Sequence, residues 1–151
     1  MTETWIILGT TSGIARAFAR QQAVAGHALI LCGRDMADIG ATAADCVIRG
    51  AALAEVMALD VRNAATFQPI LDLAARQSGV LNAAVFVGTM PDQTEIDADP
   101  SLIDGVITDS FSGPARFLTM LAPMLEERGG GAVVGVGSVA GDRGRVGNYV
   151  Y

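Results

Sequence analysis

The chain has 151 residues, 51% of them hydrophobic and only 5% aromatic, enough for one domain whose core is drawn mainly from Ala, Val, Leu and Ile, as in a sheet covered on both faces. A formal net charge of −6 disfavours nucleic acid and anionic membranes as partners, because a phosphate backbone needs a basic footprint. The opening Met1-Thr2-Glu3-Thr4 is not basic and a short apolar run of four residues follows it, so neither a secretory signal nor a membrane span is read there and a cytoplasmic protein is the default expectation.

Short apolar runs alternate with helix-length segments, the pattern of strand–helix units in a parallel sheet. Strands are predicted near Trp5–Leu8, Ala28–Cys32, Ala52–Leu59, Leu81–Val87 and Ala132–Val136. The first run leads through Gly9-Thr10-Thr11-Ser12 into a helix from Gly13 to Ala25, with Ile14, Ala17, Phe18 and Val24 expected on one side, Arg16 and Arg20 facing away, and Gly26 as its stop. His27 opens the second strand and is read as structural. Cys32 and Cys46, which lack metal-ligand spacing, are read as reduced core residues.

The second helix is expected from about Asp35 to Arg49, stopped by Gly50, and the third from about Asn63, its cap, to Gln77. Pro69 is an anomaly inside that third helix, since a proline there removes a hydrogen bond. The stretch between Gly88 and Pro100 is rich in turn formers and acids and is the mobile segment expected over a site. A longer helical pattern follows, with Ile103, Val106, Ile107, Phe111, Phe117, Leu118, Leu121, Met124 and Leu125 at three- and four-residue steps. It has more apolar residues than one buried stripe needs, which points to packing against another subunit or against further chain.

The chemistry starts at Gly9-Thr10-Thr11-Ser12-Gly13-Ile14-Ala15. Glycine at the strand exit allows backbone angles closed to other residues, and glycine at the helix entry lets a diphosphate approach the positive helix N-terminus. Such spacing alone also describes a tight turn without a ligand. Its position after the first strand and ahead of a second strand ending in Cys32-Gly33-Arg34 makes a dinucleotide the leading ligand. A carboxylate at this second strand end would accept from both ribose hydroxyls, whereas Gly33 leaves room and Arg34 offers a planar cation for a 2′-phosphate. This favours NADP(H) over NAD(H), with a solvated charge at a helix start as the plain alternative for Arg34. Asp60, at the end of the third strand, either accepts from an adenine amino group or caps a helix. Gly88 lets a cofactor backbone pass close, or is an ordinary turn glycine.

On these residues the chain resembles, over its whole length, the short-chain dehydrogenases/reductases, the tyrosine-dependent family of oxidoreductases. The family's T-G-x-x-x-G-[IL]-G is matched from Leu8 to Ala15, with Leu8 for the threonine and Ala15 for the third glycine. Asp60-Val61 matches its strand-end aspartate and valine, and Gly33-Arg34 resembles members that prefer the phosphorylated cofactor. The most specific match is Gly137-Ser138-Val139-Ala140-Gly141 followed by Tyr151, thirteen positions after the serine. Only this spacing chooses Tyr151 over Tyr149.

The resemblance implies a three-layer α/β/α Rossmann fold with strand order 3-2-1-4-5. It implies cofactor contacts from Gly9, Thr11, Ser12, Gly13, Ile14, Gly33, Arg34, Asp60, Val61, Val87 and Gly88, with Ser138 and Tyr151 as catalytic groups and no metal. Tyr151 would pass a proton to or from the substrate oxygen that Ser138 polarises. The family's lysine, four positions after the tyrosine, would lie past residue 151, so the domain is expected to be incomplete at its C-terminus and to want the last parallel strands. Bringing a phenol of pKa about 10 to near neutrality takes roughly 4 kcal/mol of preferential phenolate stabilisation, most of it expected from cations.

Two departures stand out. The family's N-N-A-G reads Val85-Phe86-Val87-Gly88, and its N-x-x-G reads Ser110-Phe111-Ser112-Gly113, which makes Ser110 the candidate for holding a water in a proton relay. Arg143 and Arg145 sit among glycines as a solvated loop, with contact to an acidic substrate as the alternative. The leading expectation is an NADP(H)-dependent oxidoreductase moving hydride between nicotinamide and a small carbonyl or alcohol substrate, as a homodimer or homotetramer. A non-catalytic dinucleotide-binding module is the alternative, and an S-adenosylmethionine-dependent methyltransferase a weaker third, because that ligand also calls for an acidic group where Gly33-Arg34 stands.

Overall fold

The computed structural model describes residues 2–151. Five strands, β1 (Thr4–Leu8), β2 (Ala28–Gly33), β3 (Leu53–Ala58), β4 (Leu81–Val85) and β5 (Val133–Gly135), form one sheet in the order β3-β2-β1-β4-β5. Every neighbouring pair is parallel. Helices α1 (Gly13–Val24) and α2 (Met36–Ile48) cover one face, while α3 (Phe67–Ala75) and α6 (Gly113–Glu127) cover the other. This is the expected three-layer Rossmann architecture with the expected strand order.

The sheet works because its central strands are apolar on both sides. Ile6, Leu8, Ile30 and Ala83 point to the α3 and α6 side, where Phe67 and Phe117 meet edge to face at 5.5 Å. Trp5, Ile7, Leu29, Leu31 and Ala84 point to the α1 and α2 side. Burying each large aliphatic side chain contributes about 1.5–3 kcal/mol. The register aligns Leu8 with both Cys32 and Val85, so β1, β2 and β4 end side by side and their exits open onto one crevice. At the other end, Asn82 donates to Glu3 and accepts from the Ala132 N–H at 2.8 Å, joining β4 to β5. His27 Nδ1 accepts from the Glu3 N–H at 3.1 Å, in the structural place expected for it. Cys32 and Cys46 are free and buried, and burial pushes the Cys32 thiol pKa up.

Several local expectations need correction. The buried stripe of α1 is Ala15, Ala19 and Ala23, whereas Ile14 and Val24 are exposed. Alanines win that face because their small side chains let the helix lie close to the sheet. Pro69 is no anomaly, since a short 3-10 turn over Ala64–Thr66, capped by Asn63, comes first and α3 opens at Phe67. The proline therefore stands in the first helical turn, where its absent N–H would have had no partner. The segment after Gly88 contains a helix, α4 (Gln93–Ala98), pinned by buried Gln93 and Ile96. The long helical pattern is α5 (Leu102–Ile107) and α6 joined by a π turn at Thr108–Ser112. Its surplus apolar residues, Ile107, Phe111 and Met120 among them, are exposed. No helix among the described residues is long and apolar enough to cross a membrane.

Tight packing fixes the π turn: a Cβ on Gly113 would stand 2.6 Å from the Val61 carbonyl oxygen. Gly113→Ala is therefore expected to cost about 1–3 kcal/mol of stability through overpacking. Gly40→Ala, in the middle of α2 with open space around it, should instead stabilise by about 0.5–1 kcal/mol. Denaturant unfolding of the two variants checks this; equal effects would contradict it.

Candidate functional site

The crevice is built by the loop between β1 and α1. Gly9 has φ +85°, and a Cβ there would come within 3.0 Å of the Phe86 carbonyl group and the Val87 nitrogen, so only glycine lets β1 turn against the end of β4. The N–H groups of Gly9 and Thr10 donate to the Cys32 carbonyl at 2.9 and 3.1 Å. Buried Thr10 Oγ1 donates to the Ile7 carbonyl at 3.0 Å and accepts from the Cys32 N–H at 3.1 Å. The loop is thus tied to two strand ends before α1 starts. Ser12 takes the N-cap position with no side-chain cap bond, which leaves the first N–H groups of α1 without intrahelical partners at its positive end. A Cβ on Gly13 would meet nothing within 4 Å, so the approach to those N–H groups is open.

Two cavities flank this loop. The first, of about 280 Å³, is lined by Gly9, Thr11, Ser12, Gly33, Arg34, Asp60, Val61, Val87 and Gly88, together with Leu59, Phe86 and Asp109. The second, of about 290 Å³, is lined by Ser12, Ile14, Val87, Gly88, Ser138 and Tyr151, with Phe86, Thr89, Met90, Val136 and Gly137. They share Ser12, Phe86, Val87 and Gly88 as a common rim. Among the cofactor and catalytic candidates named from the sequence, only Gly13 and Ser110 line neither cavity.

Arg34 is exposed and makes no hydrogen bond or ion pair with any of the described residues. Space beside Gly33 is tight: a Cβ there would come within 2.8 Å of the Ile39 Cδ1 methyl, which would have to move aside. Asp35, next in line, spends its carboxylate capping α2, accepting from the Asp38 N–H at 3.0 Å. No carboxylate from the end of β2 lines the cavity. Asp60 is half-buried and accepts from the Arg62 N–H at 2.9 Å; it shapes its own turn rather than capping a helix.

On the other cavity, Ser138 accepts from the Ala140 N–H at 3.1 Å, opening a 3-10 turn over Val139–Gly141. Ser110 stands on the π turn behind Gly88 and Thr89, its Oγ 3.4 Å from both the nitrogen and the carbonyl oxygen of Thr89. It supports the wall of this cavity rather than lining it. Where the family's asparagines would tie the strand ends, backbone bonds do so: Phe86 N–H to the Leu8 carbonyl at 2.9 Å and Val136 N–H to the Val85 carbonyl at 3.2 Å. Phe86 adds a ring contact with Phe18 at 5.6 Å.

Tyr149 and Tyr151 part company. Tyr149 Oη donates to Asp97 Oδ1 on α4 at 2.6 Å, and Gln93, which also donates to Asp97, accepts from the Val150 N–H at 3.3 Å. Tyr151 lines the cavity with Ser138. The bond to Asp97 holds the Tyr149 phenol above its ordinary pKa and the Asp97 carboxyl below its own. Thr10, Asp97 and Asp109 were not legible as site residues, since nothing local marks a threonine, or either of two aspartates in helical segments, as facing another strand or a cavity.

A family model described as short chain dehydrogenase matches residues 3–151. The chain belongs to the short chain dehydrogenase family. Sulfoacetaldehyde reductase 2 of Chromohalobacter salexigens is 33% identical, covering 100% of this chain and 60% of its own length. An uncharacterized oxidoreductase of Mycobacterium tuberculosis is 29% identical over 97% of this chain and 59% of its own length. The chain thus spans about 60% of the length of these curated relatives. An actinorhodin polyketide ketoreductase solved with NADPH superposes with a TM-score of 0.89, at 22% identity, over 99% of this chain and 58% of that one; it shares the fold.

The Tyr149–Asp97 bond has a pH signature. It needs an ionised Asp97 and a protonated Tyr149, so it is lost as pH falls through the lowered Asp97 pKa or rises through the raised Tyr149 pKa. In an alkaline absorbance titration one phenol should ionise late, and Tyr149→Phe should remove that late step. A variant that keeps it would contradict the assignment.

Proposed function

We propose that the chain is the cofactor-binding part of an NADP(H)-dependent oxidoreductase acting on a small carbonyl or alcohol. The observation that carries the reading is Arg34: an unpaired guanidinium beside Gly33 on the cavity wall, at a strand end that supplies no carboxylate to the cavity. A planar cation with free donors suits a 2′-phosphate. The rest of the donor set fits the same ligand. The open N-terminus of α1 beyond Ser12 suits a pyrophosphate, and Asp60 keeps an acceptor oxygen for an adenine amino group. When bound, the nicotinamide would supply or accept the hydride.

This chain's own residues would handle the proton and the orientation. The Tyr151 hydroxyl would give a proton to the carbonyl oxygen in reduction, or take one from an alcohol in oxidation. Ser138 would donate to the same oxygen and set the face presented. Ser110 would keep the Thr89 backbone in place beneath that cavity. A relative named as a sulfoacetaldehyde reductase supports a carbonyl as the substrate class. Exposed Phe111 and Ile107 support a homodimer or homotetramer.

In a fluorescence titration of the full-length protein, Arg34→Ala should weaken NADPH by about tenfold to a hundredfold, the worth of a charge-assisted contact, while leaving NADH nearly unchanged. Tyr151→Phe should bind NADPH normally and lose about 10² to 10⁴ in turnover with aldehydes or ketones. Equal losses for both nucleotides in Arg34→Ala would refute the 2′-phosphate role. Tight NADPH binding without turnover of any carbonyl in the unaltered protein would instead favour a non-catalytic binding module.

A further inference from the structure

One charged group in the first cavity has no part in holding the cofactor. Asp109 is the only charged side chain among the buried described residues, and it lines the cavity with Asp60 and Arg34. A carboxylate held out of water is costly unless a cation meets it in a geometry that occupies its lone pairs. Arg62 does this with a fork: Nε donates to Asp109 Oδ1 at 2.6 Å and Nη2 to Oδ2 at 2.8 Å. The chain delivers the arginine deliberately. Asp60 accepts from the Arg62 N–H, and the guanidinium passes so close over Gly105 that a Cβ there would stand 3.0 Å from Nη2.

We propose that Arg62 supports the binding of anionic nucleotides in this cavity, because it cancels the Asp109 charge on the cavity wall. The inference rests on the cofactor reading and deepens it. Without Arg62 the wall would carry two carboxylates, Asp60 and Asp109, against the single cation Arg34, in a chain whose net charge is already −6. A nucleotide with several phosphate charges would then meet repulsion where it now meets near neutrality. Arg62 is a positioning residue in this scheme, acting through Asp109.

The test is a titration of the full-length protein with NADPH and with adenosine 2′,5′-bisphosphate. Arg62→Gln, which keeps a hydrogen-bond donor and loses the charge, should raise both dissociation constants by about tenfold, since uncompensated charge at a binding wall acts on affinity at about 1.4 kcal/mol per tenfold. Arg62→Lys, which keeps the charge and loses the fork, should stay within about threefold. The double variant R62Q/D109N, with no charge left to cancel, should also bind within about threefold of the unaltered protein. If Arg62→Lys loses as much as Arg62→Gln, or the double variant binds no better than Arg62→Gln, the pair is a structural clasp and the inference is overturned. Unaltered protein that binds neither nucleotide would sink the cofactor reading itself, whereas binding that Arg62→Gln leaves unchanged would sink only this inference.

Discussion

The site rests on one close approach. β1 must leave the sheet against the end of β4, and at Gly9 the distance to the Phe86 carbonyl group leaves no space for a side chain. Because the turn is also tied to Cys32 of β2 through the Gly9 and Thr10 backbone and the Thr10 hydroxyl, three strand ends are locked together at one point. A dinucleotide crevice at the carboxyl edge of a parallel sheet follows from that lock, since ligands in such sheets bind where the crossovers diverge. Here the divergence lies between β1 and β4: β2 and β3 lie to one side of β1, β4 and β5 to the other.

The two cavities divide the chemistry between them. The first is charged, with Arg34, Asp60 and the Arg62-neutralised Asp109 around an otherwise apolar floor of Leu59 and Val61. The second carries hydroxyls, from Ser138 and Tyr151, beside Ile14, Met90 and Val136. Their shared rim of Ser12, Phe86, Val87 and Gly88 is where an extended ligand would cross from one to the other. The π turn links the two by sequence, because Asp109 lines the first while Ser110, next along the chain, bonds to Thr89 of the second. π turns of this kind concentrate at functional sites.

Much of this was legible in the sequence because it is local. Gly9 and Gly13 bracket a strand–helix junction, Gly33-Arg34 follows an apolar run, and alternating segments of strand and helix length dictate a parallel sheet. What escaped depends on contacts between distant segments. The face of α1 was misjudged because large apolar side chains were given priority, whereas close packing on the sheet selected Ala15, Ala19 and Ala23. Pro69 looked disruptive because the 3-10 turn that precedes α3 has no strong local mark. Asp109 stands amid apolar positions of a helical pattern, and its meaning comes from Arg62, 47 residues earlier in the chain. Gln93 and Asp97 turn a loop-like stretch into an anchored helix for the same reason, since their partners lie at Tyr149 and Val150.

The most direct test of the central claim is a crystal structure of the full-length protein with NADPH. The pyrophosphate should lie against the Ser12–Gly13 end of α1, the 2′-phosphate against the Arg34 guanidinium, and the nicotinamide on the side of Ser138 and Tyr151. A nucleotide bound in the opposite direction, or outside the crevice between β1 and β4, would contradict it.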